Sequence, residues 1–179
     1  RAPRPYLLAD GHKTAKLRSK YKDGKNVRLI GVSWKSPLGK SSEMKSLALR
    51  DLIPLLQLPH THFIDLQYGE TNAERRELNL EFGVEIMHDS SINQMNDLDG
   101  FAAQIAAMDT VVSVSVSAAH MAGALGVPTY VLLSPAPQWK WGGNEDKVPW
   151  YPNVQLLRRS HGDTCKNQID RAAKLIRNQ

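Results

Sequence analysis

The run VVSVSVSAAHMAGALGVPTYVLL combines hydroxyls at Ser115 and Ser117 with small residues at Ala118 and Ala119 and an imidazole at His120. Read as a strand that turns into a helix, it has the makings of a phosphate site. The first N–H groups of a helix lack intrahelical acceptors, and the aligned peptide dipoles add partial positive charge there. Ala122 and Gly123, one turn later, allow close approach of a ligand or of the sheet. His120 could donate to a phosphate oxygen or a ribose. The competing reading has Ser117 capping the helix and His120 packing against a neighbouring loop.

A second group lies in the loop SWKSPLGKSSEMKS, which carries Lys35, Lys40 and Lys45 with Ser33, Ser36, Ser41 and Ser42. Ammonium groups and hydroxyls on one loop suit a diphosphate, which they neutralise and to which they donate; a solvated loop is the alternative. Gly39-Lys40-Ser41 lacks the upstream glycine of a Walker A loop, so an ATPase is not indicated. Trp139, Trp141, Trp150 and Tyr151 share one segment, where rings either stack on a base or sugar or pack a long loop. Glu70, Asp89 and Asp97 offer carboxylates for a base, a ribose contact or a helix cap, and Asp97, three residues before Gly100, reads best as a cap. No HExxH, CxxC or GxSxG pattern occurs, and no GxGxxG follows the first strand, so the residues name no catalytic base.

The elements that must position these groups alternate. Short apolar runs rich in β-branched residues predict strands over 27–32, 62–66, 84–87, 110–116, 130–133 and 154–157. Apolar residues at helical spacing predict helices from Ser46 onward, bent or shortened by Pro54, and over 72–82, 98–106, 117–125 and 164–177. Gly83 and Gly126 serve as stop signals. The segment 134–152 reads as irregular. Such alternation predicts an α/β, Rossmann-like three-layer domain with a parallel sheet, whose ligands bind outside the carboxyl ends of the strands.

A length of 179 residues with 41% hydrophobic content predicts one domain with a sizeable core, 1–179, whose residues 1–26 form a basic helical lead-in. The single cysteine, Cys165, requires no oxidising compartment, and no apolar stretch reads as a signal or a membrane span, so a cytoplasmic location is expected. The net charge of +5 is concentrated: residues 1–50 hold 13 Lys and Arg against Asp10, Asp23 and Glu43. That end should attract anions, but no basic-aromatic or zinc-finger pattern points to nucleic acid, and the lysines over 13–22 read as a solvated helix face. The chain opens at Arg1 without methionine, so a missing partner domain is expected.

The ordered series GVSWKS, FIDLQYGE, NDLDGFAAQIAAMDTVVSVS, AAHMAGALGVPTYVLL, the Trp139-Lys140-Trp141 triplet and PWYPNVQLLR resembles the carboxy-terminal domain of GT-B glycosyltransferases related to the lipopolysaccharide heptosyltransferases, particularly the bacterial branch fused to tetratricopeptide repeats. The resemblance covers most of the chain from Val27 onward, and its specificity lies in the order of the pieces. It implies one half of a GT-B fold that binds a nucleotide-diphosphate sugar as substrate, with no cofactor and no metal. The diphosphate would lie over the helix start at Ser115, Ser117 and His120. Ser33, Trp34, Lys35 and Lys45 would face the phosphates, Gln67 and Glu70 would lie beside the nucleoside, and Trp139 would stand near the ligand. The acceptor, and the base, would come from an amino-terminal domain or repeat region outside this chain. Members usually carry Asp and then a hydroxyl residue where this chain has Ser115 and Val116. A degenerate, non-catalytic nucleotide-, glycan- or protein-binding module of the same fold is the alternative.

Overall fold

The computed structural model describes residues 4–36, 46–135, 138–143, 145–160 and 162–179. Helix α1 (Gly11–Lys22) opens on Asp10, whose carboxylate accepts from the Lys13 N–H at 2.8 Å. Then follow β1 (Arg28–Ser33), a 3-10 turn (Leu49–Leu52) continued by the short α2 (Ile53–Leu56), β2 (Thr61–Asp65), α3 (Asn72–Phe82), β3 (Ile86–Met87), α4 (Leu98–Ala106), β4 (Thr110–Val114) and α5 (Ser117–Leu125). The chain ends with β5 (Thr129–Leu133), a 3-10 turn (Trp139–Trp141), β6 (Lys147–Val148), β7 (Tyr151–Arg158) and α6 (Cys165–Arg177).

The seven strands form one sheet in the order β3-β2-β1-β4-β5-β7-β6, parallel throughout except for the antiparallel β6. The pleat divides its side chains between two helical layers. On one face Ile30, Val32, Val112 and Val114 pack with Leu52, Leu55, Leu78 and Ile169 from the helices and the first 3-10 turn. On the other, Leu29, Ile64 and Val111 meet Leu17 and Tyr21 of α1, Phe101 and Ile105 of α4, and Ala118 and Ala122 of α5. A third cluster around Trp141, Tyr151, Val131 and Leu156 extends this second layer beyond β5. The expected three-layer, Rossmann-like architecture is therefore present.

Several local expectations change. Ser46 does not start a helix: its Oγ accepts from the Ser36 N–H at 2.9 Å, and helical turns begin only at Leu49, with Pro54 in the opening turn of α2. Strand β3 is two residues long rather than four, β4 stops at Val114, and the segment read as irregular contains β6 and the start of an eight-residue β7. Lys13, Lys16 and Lys20 of the basic helix are exposed, as expected, but its opposite face is not solvated. Leu17 and Tyr21 are buried, Arg18 donates to the Ala107 carbonyl and to Asp109, and Lys20 pairs with Asp89 at 2.8 Å.

Strands β2 and β3 lie to one side of β1, whereas β4 and the later strands lie to the other. The connections leaving the carboxyl ends of β1 and β4 consequently diverge, which marks the topological switch point where ligands of parallel α/β sheets bind.

Candidate functional site

The candidate site lies at the ends of the neighbouring strands β1 and β4. Gln67, two residues beyond β2, is 2% exposed and acts as a pin for the end of β1. Its Oε1 accepts from Ser33 Oγ at 3.1 Å and from the N–H groups of Trp34 and Lys35 at 2.9 Å, while its Nε2 donates to the carbonyls of Lys35 and Tyr68 at 3.0 Å. The amide of Gln67 thus shapes the turn after β1 and has no capacity left for a nucleoside. Trp34 is fully buried and donates its indole N–H to Glu74 at 3.1 Å, so its ring belongs to the core and offers no stacking face. Lys35 forms an ion pair with the same Glu74, which offsets part of its charge. Glu70 sits apart, accepting from the Asn72 N–H at 2.8 Å at the start of α3; that bond lowers its pKa. Lys40 and Lys45 lie outside the described residues.

At the end of β4, Val116 rather than Ser117 occupies the cap of α5 and contributes no side-chain cap bond. Ser117 is exposed in the first turn, beside Ala118 and Ala119, which are buried against the sheet. Ser115 accepts from the indole N–H of Trp141 at 2.6 Å. Trp141, wholly buried, lies face to face with the His120 imidazole at a centroid separation of 4.4 Å and 14° between planes. His120 Nδ1 lies 3.1 Å from the Tyr151 hydroxyl, and its Nε2 is buried with no hydrogen-bond partner among the described residues. Burial, and then the charge of Lys140, lower the His120 pKa to about 4, so the ring is neutral at pH 7. His120 is therefore both packed and polar: it stacks as the packing reading required, yet keeps an unmatched nitrogen. Trp139, two residues from Trp141 on the same turn, is 87% exposed and leaves its ring free above the surface.

Two polar hubs after β2 and β3 carry no sequence motif. Asp65, at the end of β2, is 1% exposed; it accepts from the Gln67 N–H at 2.8 Å and from Thr71 Oγ1 at 2.6 Å, and it lies 3.3 Å from Arg75 Nε and 3.0 Å from His88 Nδ1. His88 lines a cavity of about 300 Å³ with Gln67, Tyr68, Asn93, Gln94 and Asn96, and the Oε1 of Gln94 is buried with no hydrogen-bond partner among the described residues. The second hub is Asp89, which accepts from Lys20 and the Tyr21 hydroxyl at 2.8 Å and from Ser91 Oγ at 2.6 Å. Burial alone would raise its pKa, but the bonds from Lys20, Ser91 and Tyr21 outweigh it and bring the value down to about 2. Asp97 caps α4 through the Gly100 N–H at 2.8 Å, as its spacing predicted. Among the described residues, no three His, Cys, Asp or Glu side chains gather as a metal site requires, and no helix is long and apolar enough to cross a membrane.

No family model matches the chain. Among curated proteins it is similar to Protein FlbA of Caulobacter vibrioides, with 32% identity over 149 residues, 83% of this chain and 25% of that protein. The chain thus spans about a quarter of the length of that relative. Among solved structures it is similar to ADP-heptose LPS heptosyltransferase II of E. coli, with a TM-score of 0.64 and 16% identity over 97% of this chain and 54% of that one. It also resembles a glycosyl transferase family 9 protein of Veillonella parvula, with a TM-score of 0.59 and 15% identity over 93% of this chain and 46% of that one. At these identities the likeness is one of fold: a mostly parallel, Rossmann-like α/β domain matching about half of a GT-B glycosyltransferase.

Proposed function

We propose that this chain is the donor-binding half of a glycosyltransferase, holding a nucleotide-diphosphate sugar at the ends of β1 and β4. The observation that carries the reading is convergence at one topological switch point. The Ser33-Trp34-Lys35 turn and the Ser115-to-His120 helix start end neighbouring parallel strands, paired through Ser33 and Ser113. The diphosphate would lie over the open first turn of α5, near Ser117, with partial positive charge from the helix and the buried His120 Nε2 as a neutral donor. Lys45 would reach the same phosphates from the loop after β1. The cavity at His88 and Tyr68 would take the nucleoside, and Glu70 and the exposed Trp139 would border the ligand at the rim. Transfer would then rest on positioning and on fixed dipoles that stabilise the leaving diphosphate, while acceptor and base come from another domain or a repeat region.

A second reading, a non-catalytic module of the same fold, draws support from how many of these groups are already engaged. Ser115 is held by Trp141, Lys35 by Glu74 and Gln67 by the β1 turn. Calorimetric titration with ADP, UDP, GDP and CMP, and with the corresponding nucleotide sugars, separates the two. Saturable binding of one nucleoside diphosphate, weakened in His120→Ala, supports the donor site; a folded chain that binds none of the panel overturns it in favour of the module.

A further inference from the structure

The amino-terminal strap before α1 lies against the far end of the same helix whose start belongs to the candidate site. The N–H groups of Tyr6 and Leu7 both donate to the Ala124 carbonyl, at 3.0 and 3.1 Å. Pro5 packs onto Gly126, which ends α5 at φ 81°, and a Cβ at that glycine would collide with the Pro5 ring. This seats the Tyr6 ring on Tyr151, with centroids 6.3 Å apart and planes 22° from parallel. Tyr151 is 7% exposed and, on its other side, reaches His120 Nδ1. One chain of contacts therefore links the exposed strap to the imidazole at the helix start.

The order of donors along this chain follows from acidity. Burial, and then the hydrogen-bonding contact with Tyr6, push the Tyr151 hydroxyl pKa well above the ordinary phenol value, so it keeps its proton. Its two neighbours are a phenol oxygen and an imidazole nitrogen, and the nitrogen is much the stronger base. The Tyr151 proton goes to His120 Nδ1. A neutral imidazole that accepts at Nδ1 carries its hydrogen on Nε2. That nitrogen is buried with no hydrogen-bond partner among the described residues.

We propose that Tyr151, aligned by Tyr6 of the strap, is a positioning residue that fixes His120 as the Nε2–H tautomer and so keeps an uncommitted, buried donor near the start of α5. What that donor meets rests on the donor-site reading; the tautomer itself is a property of the unliganded chain. The groups facing the ring are Tyr151 from β7, Trp141 and Lys140 from the 3-10 turn, and Ser115 through Trp141.

The test is ring-¹⁵N histidine NMR of the unliganded protein at pH 7, with the His120 signals assigned through His120→Gln. The expected spectrum shows His120 as the Nε2–H tautomer. Tyr151→Phe should move the tautomer ratio toward Nδ1–H by about tenfold, the scale of one hydrogen bond of ordinary net strength. Tyr6→Phe, at an exposed ring, leaves the fold intact and should shift the Nδ1 resonance with a smaller change in ratio. An Nδ1–H tautomer in the parent protein, or a ratio unmoved by Tyr151→Phe, overturns the proposal. Should Tyr151→Phe not fold, the parent tautomer and an unshifted Tyr6→Phe spectrum decide it in the same way. Because no nucleotide is present, these outcomes are independent of whether the titration panel binds.

Discussion

Trp141 and Ser115, 26 residues apart, are joined by a 2.6 Å hydrogen bond that ties the second 3-10 turn to the end of β4. The indole N–H has no water to turn to, since the residue is fully buried. Ser115→Ala should cost about 1 to 3 kcal/mol, the penalty for stranding a buried donor. Urea unfolding of the two proteins measures it, and near-UV circular dichroism should report a looser indole environment.

The imidazole at the other face of Trp141 makes stability depend on pH. The His120 pKa lies at about 4 in the fold against an ordinary 6.5, so between these values the unfolded chain binds the extra proton. The contribution is complete above pH 6.5 and is lost as the pH falls toward 4. Partial exposure screens the effect, leaving on the order of 2 kcal/mol. Melting curves from pH 7.5 to 4 should fall less steeply in His120→Gln than in the parent. Identical slopes would remove His120 as the cause.

Asp65 answers to Arg75, His88, Thr71 and the Gln67 backbone at once. Asp65→Ala uncovers a guanidinium that has little exposure of its own. A loss of roughly 3 to 5 kcal/mol is expected, as for breaking a buried ion pair from one side. Equilibrium denaturation checks the value.

At Gly123, β7 comes close to α5: a Cβ there would stand 2.7 Å from Tyr151 Cγ and 3.0 Å from a Val154 methyl. Gly123→Ala should cost about 1 to 3 kcal/mol by overpacking, despite the better helix propensity of alanine. It should also displace the Tyr151 ring, visible as altered His120 resonances. A stabilised protein with unchanged spectra would contradict this account.

What the sequence made legible was whatever rests on neighbours along the chain. Apolar β-branched runs marked the long parallel strands, Gly83 and Gly126 marked helix ends, and Asp97 announced its cap three residues ahead. Partners far apart in sequence left no such mark. Gln67 is an ordinary polar residue until Ser33, 34 positions away, is brought to it, and Asp65 needs His88 from the loop after β3. Trp139 and Trp141 were indistinguishable as letters, yet a three-residue 3-10 turn sends one into the core and the other into solvent. Helix α1 did carry a readable sign, Leu17 and Tyr21 at four-residue spacing, but its lysines masked it.

The sheet order also bears on what happens when many copies meet. Both outermost strands, β3 and β6, are only two residues long, and β6 runs against the direction of its neighbour. An incoming strand finds little open ladder to extend at either side. A sheet rich in Val, Ile and Leu is thereby kept from templating fibrils through its margins.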